Sequence, residues 1–191
     1  MGGFKLLRIW AAAALLFPAI LCGADKNIDT AKSVITIHVG KTGLFSGAGH
    51  EHWVDAPIAY GMLREGVGAK IEFAVDARTL RIRPDQENEG DQAKVQETME
   101  RDVLETGKYP QILFHSTQVT ANGRRSWSVT GTLELHGVSK TVAAEVWREG
   151  EIYTGSTRIR QKDFGIKPVS AGGGLVKVKD ELNISFKVYA K

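Results

Sequence analysis

The chain has 191 residues, 42% hydrophobic and 25% charged, with one cysteine and a formal charge of +3. That is the make-up of a soluble globular protein of one domain with a sizeable core. Lys5 and Arg8 precede every acidic residue, so beyond Ala24 there are 23 basic against 22 acidic side chains, a formal +1. With no clustered basic face interleaved with aromatics, nucleic acid is excluded as a partner.

The first 24 residues stand apart. Lys5 and Arg8 give a positive flank, Ile9 to Leu21 is apolar apart from Pro18, and Cys22-Gly23-Ala24 supplies small residues. This is the order of a secretory signal peptide cut after Ala24. The apolar run of about 13 residues is short of the roughly 20 that a membrane-spanning helix needs. Residues 1–24 are therefore expected to be a signal peptide and residues 25–191 one β-barrel domain, periplasmic or secreted. Lipidation of Cys22 ranks second, because Leu21 is larger than the residue a lipoprotein signal prefers there. Cleavage after Ala24 removes the only cysteine, and with it any disulfide, thiolate nucleophile or cysteine metal site.

Asp25 to Lys32 is polar and leads into a first strand, Ser33 to Val39, with Ile35, Ile37 and Val39 on one face. Gly40, Gly43, Gly47 and Gly49 punctuate a connection to a second extended run, His50 to Ile58, which Pro57 marks as a strand edge or end. Tyr60 to Arg64 continues it. Lys70 to Val75 places Ile71, Phe73 and Val75 on one face. Asp76 to Arg83 carries Leu80 and Ile82 toward Pro84, and Asp85 to Gly90 is a polar loop. Asp91 to Thr106 is the one helical signal: Val95, Met99 and Val103 recur every four residues beside Leu104, with Asp91 placed as N-cap and Gly107 as stop. An amphipathic helix with a polar face of mixed charge is expected over a barrel mouth or flank.

After Lys108-Tyr109-Pro110, the stretch from Gln111 to Val119 is extended, with Ile112 and Phe114 on one face and His115 on the other. The clearest hairpin is Trp127 to Trp147. Trp127, Val129, Leu133 and Leu135 alternate with polar residues, Gly137 breaks the run, and Val142, Ala144 and Val146 restart it. Glu151 to Arg160 is a further strand, Asp163 to Pro168 is irregular, and Ala171 to Gly174 is a loop. Val176 to Ala190 is the last strand, with Leu182, Ile184, Phe186 and Val188 on one face. About eight strands with one helix suit a small antiparallel barrel, whose interior is either filled by side chains or holds one slender ligand.

Three blocks of residues carry a resemblance: Lys108-Tyr109-Pro110-Gln111-Ile112-Leu113-Phe114-His115-Ser116, then Val129-Thr130-Gly131-Thr132-Leu133-Glu134-Leu135-His136-Gly137-Val138-Ser139-Lys140, then Asp163-Phe164-Gly165-Ile166. In this order and spacing the chain resembles the YceI-like family of secreted or periplasmic proteins. The resemblance implies an all-β fold, an antiparallel eight-stranded lipocalin-like barrel around an elongated apolar tunnel that takes a polyisoprenoid chain or a quinone tail. The departure is Gly49-His50-Glu51-His52-Trp53, which sets two histidines where a more apolar stretch is expected.

The tunnel wall is expected to be Ile35, Ile37, Phe73, Val75, Phe114, Leu133, Leu135, Ile184 and Phe186, with His50 and His52 at one rim, contacting a polar ligand head or loop backbone. Two histidines two apart on a strand share a face, which is also a geometry for metal or haem iron. A complete site would need further ligands, for which His38, His115 and His136 are the candidates. His136 is otherwise a polar cap on the hairpin. There is no Gly-x-Ser-x-Gly elbow, no phosphate loop before a helix and no spaced calcium-ligand set. No catalytic residue, metal or cofactor is assigned. The reading is a non-enzymatic binding protein for a polyisoprenoid or other long-chain lipid, loaded by contact with a membrane surface, as a monomer or homodimer. The alternatives are a histidine-liganded metal or haem redox protein and a ligand-free structural or stress barrel.

Overall fold

The computed structural model describes residues 23–42, 51–84, 89–171 and 176–191. The expected signal segment up to Cys22 lies outside these residues. So do His50 with the part of the glycine-rich connection at 43–49, the polar loop at 85–88, and 172–175.

The period-two stretches become strands: β1 (Asp25–Asn27), β2 (Val34–Thr42), β3 (His52–Arg64), β4 (Lys70–Asp76), β5 (Arg81–Ile82), β6 (Gln111–Ala121), β7 (Ser126–Leu135), β8 (Val138–Glu149), β9 (Ile152–Arg160), β10 (Ser170–Ala171) and β11 (Val176–Tyr189). Around the barrel the order is β3-β2-β11-β9-β8-β7-β6-β4, every pair antiparallel, and β4 pairs back to β3 to close it. The barrel is therefore eight-stranded, with β1 and β5 added to the two ends of β3 and β10 added to β11. Closure removes the edges and sends one face of every strand to a common interior.

β7 and β8 form the expected hairpin. Its two-residue turn is His136-Gly137, with φ of 53° and 72°. Positive φ at both central residues matches the right-handed twist of the flanking strands.

Two expectations are corrected. Pro57 is no strand end: β3 runs through it for 13 residues. Pro57 is the last β3 residue paired with β2, and on the other side β5 has ended at Asp55 while β4 begins at Ile58. A residue without an N–H is tolerated where the ladders change over. The helix, too, has other limits. α1 spans Glu89–Thr98, so Asp91 is not its N-cap. One π-helical turn, Met99–Val103, extends it, with the Leu104 N–H bonded to the Met99 carbonyl at 2.9 Å. The chain then reverses at Glu105, φ 45°, two residues before Gly107. Val95, Met99, Val103 and Leu104 do face the barrel as their spacing predicts.

The segment Asp163 to Pro168, read as irregular, is part of the core. Gln161–Phe164 is a 3₁₀ turn, Phe164 is 1% exposed, and Ile166 is buried beside it against Leu133, Leu135 and Ile159.

Candidate functional site

The barrel encloses a cavity of about 610 Å³, inside the roughly 300–1,000 Å³ of ordinary small-molecule sites. Every one of the eight barrel strands contributes to its wall. Ile35, Ile37, Phe73, Val75, Phe114, Leu133, Leu135, Ile184 and Phe186 all line it, as does His52. The sequence reading missed Leu63, Val129, Tyr153, Ile159 and Ile166, which line it too. β9 hid its share because its inward positions read Tyr153, Gly155, Thr157, Ile159, a row without a clear apolar signature.

Two glycines shape the bore. A Cβ on Gly131 would meet the Phe114 ring and the His115 carbonyl at 2.5 Å, and one on Gly155 would collide with the Phe186 ring and the Glu145 carbonyl. Both glycines occupy inward positions of their strands, so the two rings lie against bare backbone instead of crossing the lumen. Phe73 stacks on Phe114 with centroids 5.2 Å apart, adding an aromatic contact to the wall.

Three polar side chains of this wall are already engaged by protein. The Thr157 hydroxyl donates to the Ala143 carbonyl at 2.6 Å, and the Gln161 amide donates to the Lys179 carbonyl at 2.8 Å. Tyr153, 5% exposed, donates its hydroxyl to Glu65. Away from the α1 end, what remains to face an occupant is almost entirely hydrocarbon.

The two ends differ. Glu65 follows the last residue of β3 and belongs to a polar plug. Its carboxylate accepts from both Tyr153 and Arg148, the latter at 2.6 and 2.7 Å, and Lys26 lies 3.5 Å away. Burial pushes the Glu65 carboxyl up, but the Tyr153 and Arg148 hydrogen bonds and the Lys26 charge outweigh it and hold the group below its ordinary value. Burial and the bond to Glu65 push the Tyr153 hydroxyl up. Ile28 and Leu63 are packed at this end of the cavity.

The other end, at the start of β3, lies under α1. Gln92 donates to the Ile82 carbonyl at 3.1 Å, and Gln96 accepts from the Ile82 N–H at 2.9 Å and donates to the Leu80 carbonyl at 2.8 Å. These bonds tie the helix to β5. The reversal after the helix is tied separately: His136 on the β7–β8 turn contacts the Glu105 carboxylate through Nε2 at 2.8 Å and the Phe164 carbonyl through Nδ1 at 3.3 Å, and packs on Tyr109. Lys41, His52, Arg83, Lys94 and Lys177 line the cavity at this end.

The histidines do not converge. His52 faces inward opposite Val39, whereas His38 faces outward opposite Trp53, stacks on it at 4.4 Å and contacts Glu51 at 2.8 Å. His115 is exposed on the outer face of β6, and His136 is held by Glu105 and Phe164. Among the described residues no group of three or more His, Cys, Asp or Glu side chains could hold a metal ion.

A family model described as a YceI-like domain matches residues 27–190. A protein of Shewanella denitrificans, described as a UPF0312 protein, is 30% identical over 189 residues, covering 93% of this chain and 94% of its own length. Another from Shewanella baltica is 30% identical over 175 residues, covering 85% and 87%. Among solved structures, BcnA of Burkholderia cenocepacia matches with a TM-score of 0.59 at 21% identity, over 86% of this chain and 99% of that one. A polyisoprenoid binding domain from Saccharophagus degradans, implicated in plant cell wall breakdown, matches with a TM-score of 0.60 at 15% identity, over 87% and 97%. At these identities the two structures share the fold.

Proposed function

The chain belongs to the YceI-like family, and from that premise we propose that it is an exported, non-enzymatic carrier that holds one long apolar chain, of the polyisoprenoid class, inside its barrel. The observation that carries this is the wall itself: a cavity of about 610 Å³ lined by aliphatic and aromatic side chains from all eight strands, whose Tyr153, Thr157 and Gln161 are bonded to protein. A wall of this kind recognises contact area, at about 0.8 kcal/mol per buried methylene, and suits a slender hydrocarbon with few polar groups. The neighbour from Saccharophagus degradans, described as polyisoprenoid binding, supports the ligand class. Lys5, Arg8, the apolar run and the small residues ending at Ala24 support export.

Folded protein purified from its native compartment, extracted with organic solvent and analysed by mass spectrometry, is expected to release a prenyl-chain lipid near one per protein. Protein that is folded and releases no lipid, and takes none up from a supplied prenol, overturns the reading. Intact mass of the exported form checks the address: a start near Asp25 is expected, and a diacylglyceryl adduct on Cys22 would establish the lipoprotein form instead.

A further inference from the structure

Large apolar side chains are exposed at a few places among the described residues: Trp53 and Tyr60 on β3, Val67 and Val169 in connections, and Trp147 on β8. Trp53 is covered by the His38 ring. Trp147, 51% exposed, has no such cover. Among the described residues it stacks on no ring, lies under no cation and donates its indole N–H to nothing. A single exposed indole is ordinary; its surroundings are not. Val146 is buried and Arg148 reaches the Glu65 plug, so Trp147 between them stands on the outer wall. Its partners across the two ladders are Ser126 on β7 and Thr154 on β9, both too short to fold over the ring. The same face continues through Glu145, Ala143 and Thr141 on β8 and through Ser128, Thr130 and Thr132 on β7. From Trp147 to Thr141 this row of mostly short side chains runs for about 20 Å. The Glu145 carboxylate is fixed beside the ring: one oxygen accepts from the Ser128 hydroxyl at 2.6 Å, the other from the Asn122 amide at 3.0 Å. It makes no ion pair with a described residue, and each oxygen keeps a lone pair.

We propose that this outer face of β7 and β8 is a glycan site, which takes an extended β-1,4-linked chain of gluco-configured pyranoses with one ring stacked on Trp147. It is separate from the barrel interior and stands or falls independently of the carrier reading. A gluco-configured ring carries its hydroxyls around the rim and axial C–H groups on its faces. The face lies on the bare indole, where the positive C–H edges meet the negative π face. The rim hydroxyls donate to Glu145, a charge-assisted bond to an acceptor already held in place. The hydroxyls of Ser126, Ser128 and Thr154 complete the rim, and neighbouring sugars follow the open row toward Thr141. Other occupants suit the surface less. A protein partner or a second copy needs several apolar anchors around a dry centre, and Trp147 has only small polar neighbours. An anionic membrane would be repelled by the carboxylate beside the indole.

Titration of the full barrel with cellohexaose and with chitohexaose, which share the ring configuration and the linkage, tests this by calorimetry. At least one is expected to bind with a dissociation constant of about 1 mM or tighter, as one stacked ring and a few hydrogen bonds allow. Trp147→Thr suits the strand and should weaken that binding about tenfold or more, whereas Trp147→Phe, which keeps an aromatic face, should recover part of the loss. Glu145→Gln should weaken it too with the indole still in place. Unchanged thermal midpoints show that the variants are folded, and unchanged uptake of a fluorescent apolar probe shows that the interior is untouched. Maltohexaose, whose α-linkages curl the chain away from a straight row, should bind more weakly than either probe. No binding of either β-linked hexaose by the wild type overturns the proposal, as does binding that Trp147→Thr leaves intact. Equal affinity for maltohexaose overturns the extended site. Two further outcomes would reassign the indole and equally sink the glycan reading: sedimentation with phosphatidylglycerol vesicles that depends on Trp147, or a dimer in solution that Trp147→Thr dissociates, either of them without glycan binding.

Discussion

Tyr153 and Glu65, 88 residues apart, meet in one hydrogen bond that plugs the barrel end away from α1. Tyr153 projects from the cavity wall and Glu65 sits just past β3, so the bond joins lining to rim. Tyr153→Phe keeps the ring and removes the donor, leaving Glu65 with Arg148 and Lys26. It is expected to cost about 1–3 kcal/mol in denaturant unfolding. An unchanged midpoint would show that the plug contributes nothing to stability.

The same carboxylate gives the fold an acid-sensitive step. Its folded-state value lies below the ordinary 4.5, so its contribution is fully present above that pH and is lost as pH falls through the depressed folded value. Glu65→Gln should flatten this part of the stability profile between neutral and acidic pH while lowering stability at pH 7. Parallel wild-type and variant profiles would remove Glu65 from the account.

Gly131→Ala and Gly155→Ala are expected to be more harmful than alanine in a strand ordinarily is. Each new methyl meets a phenyl ring on one side and a backbone carbonyl on the other. The carbonyl cannot yield, so the ring must swing into the lumen. A cost of about 1–3 kcal/mol and a loss of lipid capacity should appear together. A variant that retains full stability and capacity would mean that the rings have room elsewhere.

Leu133→Trp tests the bore directly. Leu133 lines the cavity between Gly131 and Leu135 on β7, and an indole there fills space the hydrocarbon needs. The folded variant should co-purify with markedly less lipid than wild type. Equal lipid would place the ligand outside this tunnel.

His136→Ala removes the tie from the hairpin turn to Glu105 and Phe164 and puts a residue less suited to φ 53° at that position. About 1–2 kcal/mol of destabilisation is expected. Faster amide exchange should be concentrated in Met99 to Tyr109, and lipid exchange should be quicker. His136→Asn, which tolerates the backbone conformation, should recover stability without recovering the slow exchange of that segment. Recovery of both would reduce the tie to a backbone effect.

What was legible in the sequence is what local periodicity records. Ile35-Ile37, Phe73-Val75, Leu133-Leu135 and Ile184-Phe186 alternate cleanly because their strands are covered on one face, and Gly137 announces the hairpin turn. Pairing of β2 with β11 and of β4 with β6 is non-local: the strand count pointed to a barrel, but no local pattern names these partners. The helix end was misplaced because its determinant is not Gly107 but a left-handed Glu105, held by a histidine 31 residues further on. The lysines at the α1 end were invisible for the same reason: no two of Lys41, Lys94 and Lys177 belong to one segment, and only the barrel's closure gathers them.

On the carrier reading proposed above, a tunnel plugged at the Tyr153 end and reached from beneath α1 has a kinetic consequence. A chain held inside it must leave by the way it entered, withdrawing its whole length before any part is freed at the other side. Each methylene withdrawn into water costs about 0.8 kcal/mol, so each one added to the chain slows spontaneous escape about fourfold. For a long prenyl chain the waiting time outgrows any useful cellular interval. Unloading then becomes an act performed on the α1 end by an acceptor, a membrane or a second protein, rather than a property of the carrier alone.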